Sequence, residues 1–483
     1  MLDTLYNGFA GLVGTLNDLM YSYVLIILLL AAGLYFTIRS KGVQLRLLGE
    51  SVRVVSEKSG DTKAVSAFEA LMVSTASRVG TGNIVGVANA IAIGGYGSVF
   101  WMWLIALVGG ATAFVESTLA QIYKKRSVKG GSYGGPSYYI QAALGSRSLG
   151  IIFAIALIVT YAVGFNMLAS FNLIDSMSSY SFYAHTVTLM GRQFALVPVL
   201  GGALLAILVG ICIMGSGKRI VKVTGVLVPV MGVLYIIMAV IVMVLNIGML
   251  PQVLQRIFSA AFDVKAIFGG AAGFGSSAVM QGIKRGLFSN EAGMGSAPNV
   301  AATAHVSHPV KQGLIQTLGV FTDTLVICTC TAFIILFGGV PDASLNGIQL
   351  TQAALESEIG PAGGVFVAVA IFLFAFSSII GNYYYGEANI RFITPRPWAL
   401  TLYRLLVGAM VLFGSVATLD LAWSLADVTM ALMTLCNLAA IVLLGRQAFL
   451  LLADYTAQKR QGIKNPVFTK DRIPELKDKA ECW

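Results

Sequence analysis

About eleven stretches of this chain run apolar for roughly twenty residues each, the length an α-helix needs to cross the hydrocarbon core of a bilayer. They fall near residues 22–38, 65–94, 98–123, 149–175, 195–215, 220–248, 266–283, 313–338, 362–388, 399–418 and 421–445. Backbone in lipid must satisfy its own hydrogen bonds, so such runs fold as helices, and the short connections leave no room for a soluble domain. Composition agrees: 57% of residues are hydrophobic and only 11% charged, where a soluble domain carries roughly 25%. The fold class read from this is an all-α polytopic membrane protein whose surroundings are the lipid bilayer.

One run is broken in the middle. Thr75-Ala-Ser-Arg-Val-Gly-Thr-Gly-Asn83 sets glycines, hydroxyls, an amide and an arginine inside the run at 65–94. A helix broken at membrane depth leaves N–H and C=O groups unpaired, which is tolerated only where the break is buried in protein or lines a wet cavity. The run at 266–283 carries a second glycine-rich interruption, Gly269-Gly-Ala-Ala-Gly-Phe-Gly-Ser-Ser277. With the first run set aside, the other ten divide into two groups of five, each opening on a broken helix. An odd number of spans per group gives the groups opposite orientation. This is the inverted repeat of many secondary transporters, in which half-helix ends and unwound carbonyls hold substrate and cation near the midplane.

The net charge of +10 is not gathered in one basic domain, which argues against a nucleic acid partner. It is spread over alternate loops: Arg39 to Lys63, Lys124 to Lys129, Lys218 to Lys222, Lys284, Arg285 and Lys311, Arg391 and Arg396, and the tail after Arg446. Basic loops stay in the cytoplasm, so the N-terminus is expected outside and the C-terminus inside, in a plasma (inner) membrane. Met1 to Asn17 lacks a basic leader and reads as an amphipathic segment on the outer face. The expected organisation is an N-terminal segment, leading helix and loop over 1–64, a first five-helix repeat over 65–248 broken at 75–83, a second over 266–445 broken at 269–277, and a cytoplasmic tail over 446–483. His185, His305 and His308 all read as solvated loop residues. With no histidine in a span and no nucleophile with a base, an enzyme is not expected. Isolated polar points rather than polar stripes argue against a channel.

Several longer motifs carry a resemblance. Gly94-Gly-Tyr-Gly-Ser-Val-Phe-Trp-Met-Trp-Leu-Ile-Ala-Leu-Val-Gly109 and Gly286-Leu-Phe-Ser-Asn-Glu-Ala-Gly-Met-Gly-Ser-Ala-Pro298 resemble signatures of the alanine or glycine:cation symporters, the second being similar to a cytoplasmic motif of that family. Arg78-Val-Gly-Thr-Gly-Asn83, Ser307-His-Pro-Val-Lys-Gln-Gly313 and Tyr384-Tyr-Gly-Glu387 are similar to it too. The resemblance implies a leucine-transporter-like fold of ten core helices plus one leading helix. It also implies sodium-driven import of a small neutral amino acid by alternating access, with sodium co-transported and no cofactor.

Within that frame the residues take roles. A zwitterion brought into the membrane needs donors for its carboxylate and acceptors for its ammonium, since an unpaired buried charge costs several kcal/mol. The carboxylate is assigned to amides around Gly80, Thr81 and Gly82, and the ammonium to carbonyls near Gly273, Phe274 and Gly275, where glycine lets a ligand approach the backbone. Phe274, Phe165 and Asn166 wall the side-chain pocket. Ser377 and Ser378 resemble the paired hydroxyls of the eighth core helix, and with the carbonyls of Ala76, Val79 and Phe374 they form the expected sodium shell. The resemblance makes Glu116, on the second core helix, a structural clamp on the broken helices. Asp323 is the better candidate for ion coupling, and proton coupling through these two acids is the nearest rival to sodium. Asn83 either offers an oxygen to a second ion or caps the outer half-helix. Arg78 is expected to pair with an acid. One departure bears on substrate: the better-known carriers resemble Gly-Trp-Ser-Tyr-Tyr-Gly-Glu where this chain has Gly381-Asn-Tyr-Tyr-Tyr-Gly-Glu387. Asn382 opens and polarises that wall, which suits glutamine or serine beside alanine and glycine.

Overall fold

The computed structural model describes residues 2–20, 24–57, 64–127, 131–189, 192–215, 217–263, 277–339, 345 and 347–483. In chain order the helices are α1 (Leu2–Leu19), α2 (Leu25–Arg39), α3 (Val43–Arg46), α4 (Leu48–Val55), α5 (Ala67–Arg78), α6 (Gly82–Gly94), α7 (Gly97–Ile122), α8 (Pro136–Leu144) and α9 (Arg147–Asp175). There follow α10 (Leu196–Ile213), α11 (Gly217–Leu245), α12 (Leu250–Ala261), α13 (Ala278–Asn290), α14 (Pro298–Ala301), α15 (Pro309–Phe337), α16 (Gly347–Ile359), α17 (Ala362–Ile393), α18 (Pro397–Ser415) and α19 (Leu419–Arg460). Two short antiparallel ribbons, at 125–133 and 186–195, are the strands among the described residues. Eight of these helices are long and apolar enough to span a bilayer. The shorter α2 and the interrupted pair α5 and α6 match two further expected runs, while the expected run at 266–283 lies mostly outside the described residues.

Burial sorts the helices. α10 and α11 present rows of exposed apolar side chains, among them Leu200, Leu204, Ile207 and Ile211 on the first and Val226, Val230, Val233 and Ile237 on the second. A bilayer is the solvent that accepts such faces. α7 is their opposite, buried along most of its length and packed on α2, α13, α15 and α19. Glycine sets that closeness: a Cβ at Gly286 would lie 2.6 Å from Ile105 Cγ2, and one at Gly313 2.8 Å from the Phe114 carbonyl. α5 lies between α11 and α17, and α9 packs on α17, α18 and α19.

After α19 the chain returns across the bundle end. Phe468 N donates to Ser307 O at 2.9 Å, Trp483 Nε1 to Gln121 O at 2.8 Å, and Lys125 pairs with Glu481. His308 corrects its reading as a solvated residue. It is fully buried, caps α15 through Val310 N at 3.2 Å, and lies 3.2 Å from Asp454. Burial holds its imidazole below the ordinary histidine range against the pull of that carboxylate. His185 and His305 are exposed.

Candidate functional site

α5 begins with a capping box, Ser66 Oγ accepting from Glu69 N while Ser66 N donates to Glu69 Oε2 at 2.8 Å. It ends where Val79 turns out of the helix at φ −74°, ψ 82°. From inside α6, Asn83 Oδ1 reaches back to accept the Gly80 N–H at 2.8 Å, standing in for the carbonyl that the break removed. Asn83 Nδ2 donates to Asp323 Oδ1 at 2.7 Å and to Ser289 Oγ at 2.9 Å. The Asp323 carboxylate also accepts from Ser289 Oγ at 2.6 Å and from Thr324 Oγ1 at 2.9 Å. One buried network therefore ties α6, α13 and α15 together, with Asp323 as its acceptor.

The second expected break, with Gly273, Phe274 and Gly275, falls on residues 264–276, outside those described. Ser277 caps the start of α13, accepting from Met280 N at 3.0 Å. The described residues show an interruption further on, between α13 and α14. Glu291 is left-handed at φ 54°, and Gly293 and Gly295 have φ 84° and 83°. This is the Ser-Asn-Glu-Ala-Gly-Met-Gly-Ser stretch of the second family-like motif, and every residue from 277 to 302 is buried. The freed amides are met by a carboxylate: Gly293 N donates to Glu116 Oε1 at 3.3 Å and Gly295 N to Oε2 at 3.0 Å. Asn437 Nδ2 adds a third bond to Oε2 at 2.8 Å. Glu116, on α7, thus lies against the second interruption with each oxygen occupied.

The two interruptions meet at a buried cavity. Ser77, Arg78, Gly80, Thr81 and Gly82 form one wall and Phe288 and Glu291 another, with Phe165 and Ala169 of α9 and Ser378 and Asn382 of α17 closing it. The volume is 20 Å³, room for about one water, so a larger occupant needs a wall to shift. The Phe165 and Phe288 rings, 4.6 Å apart between centroids, are the apolar part of that wall. Trp423 packs at a tilt against Phe288, 5.2 Å between ring centroids, and Arg285 lies 4.0 Å above the Trp423 ring. Arg285 and Lys284 both pair with buried Asp427, at 3.2 and 2.6 Å. These two cations were read as loop residues; they sit instead inside α13, where Asp427 of α19 compensates their burial.

Polar contacts run along the other side. Ser77 Oγ lies 2.6 Å from Asn382 Oδ1, whose Nδ2 donates to Asn166 Oδ1 at 2.9 Å. Ser378 Oγ donates to Ser77 O at 3.3 Å, and Ser377 Oγ to Phe374 O at 3.0 Å. The structure therefore brings together Gly80, Thr81, Gly82, Phe165, Ser378 and Asn382, with Asn166 one bond behind, Ser377 adjacent to Ser378 in the chain and Phe374 one turn earlier. Arg78 does not find the expected acid. Its Nη1 donates to Gln316 Oε1 at 3.1 Å and Gln316 O at 3.4 Å. Glu291 had no place in the sequence reading. Its one signal there was an acid inside a glycine-rich motif, which reads equally as a loop.

The sequence model of the sodium:alanine symporter family matches residues 7–470. The chain is 48% identical over 475 residues to the probable sodium/glutamine symporter GlnT of Bacillus subtilis, covering 98% of this chain and 95% of that one. It is 48% identical over 477 residues to the amino-acid carrier protein AlsT of the same organism, covering 98% of each. Among solved structures, that of MhsT in complex with L-phenylalanine aligns with a TM-score of 0.54 at 13% identity, over 82% of this chain and 98% of that one, a likeness of fold.

Proposed function

The chain belongs to the sodium:alanine symporter family and is a sodium-coupled amino acid symporter of leucine-transporter-like fold, and we propose that the cavity between the two helix interruptions is its substrate site. The occupant in this reading is a small neutral amino acid of the alanine and glycine class, imported across the plasma membrane by alternating access. The observation that carries it is the convergence of both interruptions on one buried space with mixed walls, apolar at Phe165 and Phe288 and polar at Ser77 and Asn382. Such a space suits a ligand with a small side chain and a charged backbone.

The sodium ion belongs, in the same reading, at Phe374 O, Ser377 Oγ and Ser378 Oγ, with the carbonyls of Ala76 and Val79 opposite. Two of these oxygens already lie 3.0 Å apart. Ser377→Ala combined with Ser378→Ala is expected to raise the sodium concentration for half-maximal uptake at least roughly tenfold, because two lost ligand oxygens cost more than about 1.4 kcal/mol. Uptake into proteoliposomes across a sodium series, with choline as replacement, measures it. An unchanged sodium dependence in well-expressed protein removes these serines from the site. Asp323 is the coupling acid of this reading and Glu116 the clamp. The N-terminus lies outside and the 446–483 tail in the cytoplasm, as the alternation of basic loops supports.

A second reading has its own support: the substrate is glutamine or a similar polar amino acid. Asn382 lines the cavity, Asn166 Nδ2 has no hydrogen-bond partner among the described residues, and the relative GlnT is named for glutamine. Asn382→Trp fills that corner and strands a polar side chain, so it should cost glutamine at least about tenfold more than alanine. Competition of labelled substrate by alanine, glycine, serine and glutamine, in both proteins, shows it. The same competition order in wild type and variant leaves Asn382 without a part in specificity.

A further inference from the structure

Two charged side chains line the cavity without a role in the reading so far. Arg78 ends α5 and is 2% exposed. With Nη1 on Gln316, its Nε and Nη2 have no hydrogen-bond partner among the described residues. Those two N–H groups form one edge of the guanidinium, spaced to meet both oxygens of a carboxylate. Buried polar groups are nearly always bonded, and a charged one left unmade is costlier than a neutral one. The free edge therefore calls for an anionic acceptor at the cavity.

Glu291 is the complementary group. Its left-handed backbone is rare for a residue other than glycine or asparagine, and such positions persist where the side chain is needed. Ser296 Oγ donates to its Oε2 at 2.7 Å. Its Oε1 lies 3.1 Å from Ser77 Oγ, but that hydroxyl has one proton and a closer acceptor in Asn382. With the proton on Asn382, Oε1 offers lone pairs to a donor in the cavity. The other two carboxylates near the interruptions are already occupied, Glu116 by amides and Asn437, Asp323 by Asn83, Ser289 and Thr324.

We propose that Arg78 and Glu291 are the charge anchors of the substrate: the Nε and Nη2 edge of Arg78 holds the α-carboxylate, and Glu291 Oε1 holds the α-ammonium. This rests on the cavity being the substrate site. It assigns to side chains the two charges that the sequence assigned to backbone, leaving the glycines of the first break to allow close approach. One free cation edge and one free anion face match a zwitterion with no charge to spare. A ligand with a single charge leaves one anchor unmet, and one with a charged side chain brings a third charge for which the cavity has no partner, so neutral amino acids are selected.

The test measures binding to the purified full chain of three probes: L-alanine, L-alaninamide, which lacks the carboxylate, and L-lactate, which lacks the ammonium. L-glutamine and its α-amide and α-hydroxy acid replace them if wild type prefers glutamine. Wild type is expected to favour the amino acid over each analogue at least roughly hundredfold, two decades of affinity for one lost charge contact. Arg78→Gln should weaken the amino acid at least about tenfold and bring the acid-to-amide ratio near one, leaving the acid-to-hydroxy-acid ratio unchanged. Glu291→Gln should do the converse. A wild-type ratio retained in Arg78→Gln overturns the assignment. If that variant does not fold, Arg78→Lys carries the test: it keeps the charge without the fork and should bind roughly tenfold more weakly, and wild-type affinity in it overturns the proposal. Gly82→Val, whose Cβ would lie 2.5 Å from the Phe288 ring, separates the two readings. Binding retained there overturns the cavity as substrate site; binding lost there with the Arg78→Gln ratio intact overturns the anchors alone.

Discussion

Gly80→Val is expected to abolish amino acid binding while the protein still folds and inserts. Gly80 lines the cavity at the first break, and a Cβ there overlaps the Ser378 hydroxyl, with Ser378 Cβ 3.2 Å away. The Ser378 hydroxyl can rotate aside for alanine, but the two γ-carbons of valine have no such outlet between α5 and α17. They also occupy a space with room for about one water. The expected loss in affinity is at least roughly hundredfold, since the ligand loses both volume and backbone approach. Equilibrium binding of labelled substrate to purified variant, with monodispersity on size exclusion as the check of folding, measures it. Near wild-type affinity would put the substrate somewhere else.

Glu116→Gln is expected to destabilise the protein by roughly 2–6 kcal/mol, because three buried donors converge on two carboxylate oxygens and an amide has only one oxygen to offer. The NH₂ group that replaces the other oxygen would face a backbone N–H, donor against donor. The second interruption then loses what satisfies its freed amides, and in a protein surrounded by lipid no bulk water replaces it. Thermal unfolding in detergent, followed beside uptake, should show the melting point and transport falling together. A variant that melts and transports like wild type would mean the amides are met some other way.

How much of this was legible in the sequence follows from the reach of each signal. Spans were legible because burial in lipid demands about twenty apolar residues in a row, a local property, and α7, α9, α11, α15 and α17 run where the hydropathy put them. The first break was legible because Gly80 and Gly82 interrupt such a run. The interruption at Glu291 was not. It is polar, so it reads as surface, and what permits its burial lies far away in sequence, in Glu116 on α7 and Asn437 on α19. Lys284 and Arg285 were misread for the same reason, their compensating Asp427 being more than a hundred residues off. Arg78 was seen to need a partner, but charge alone suggested an acid where the fold supplies Gln316.

The oxygens gathered near Ser377 and Ser378 are hydroxyls and carbonyls, and none of them is an anion. A cation held there keeps its full unit charge, so the voltage acts on the loaded carrier, where a carboxylate shell would have shifted that work to the return of the empty one. A zwitterion carries no net charge, so the ion alone makes the translocated load positive. Each sodium moved inward then draws about 2.3 kcal/mol from every 100 mV of membrane voltage, and the accumulation a cell can sustain depends on its electrical potential as well as on its sodium gradient.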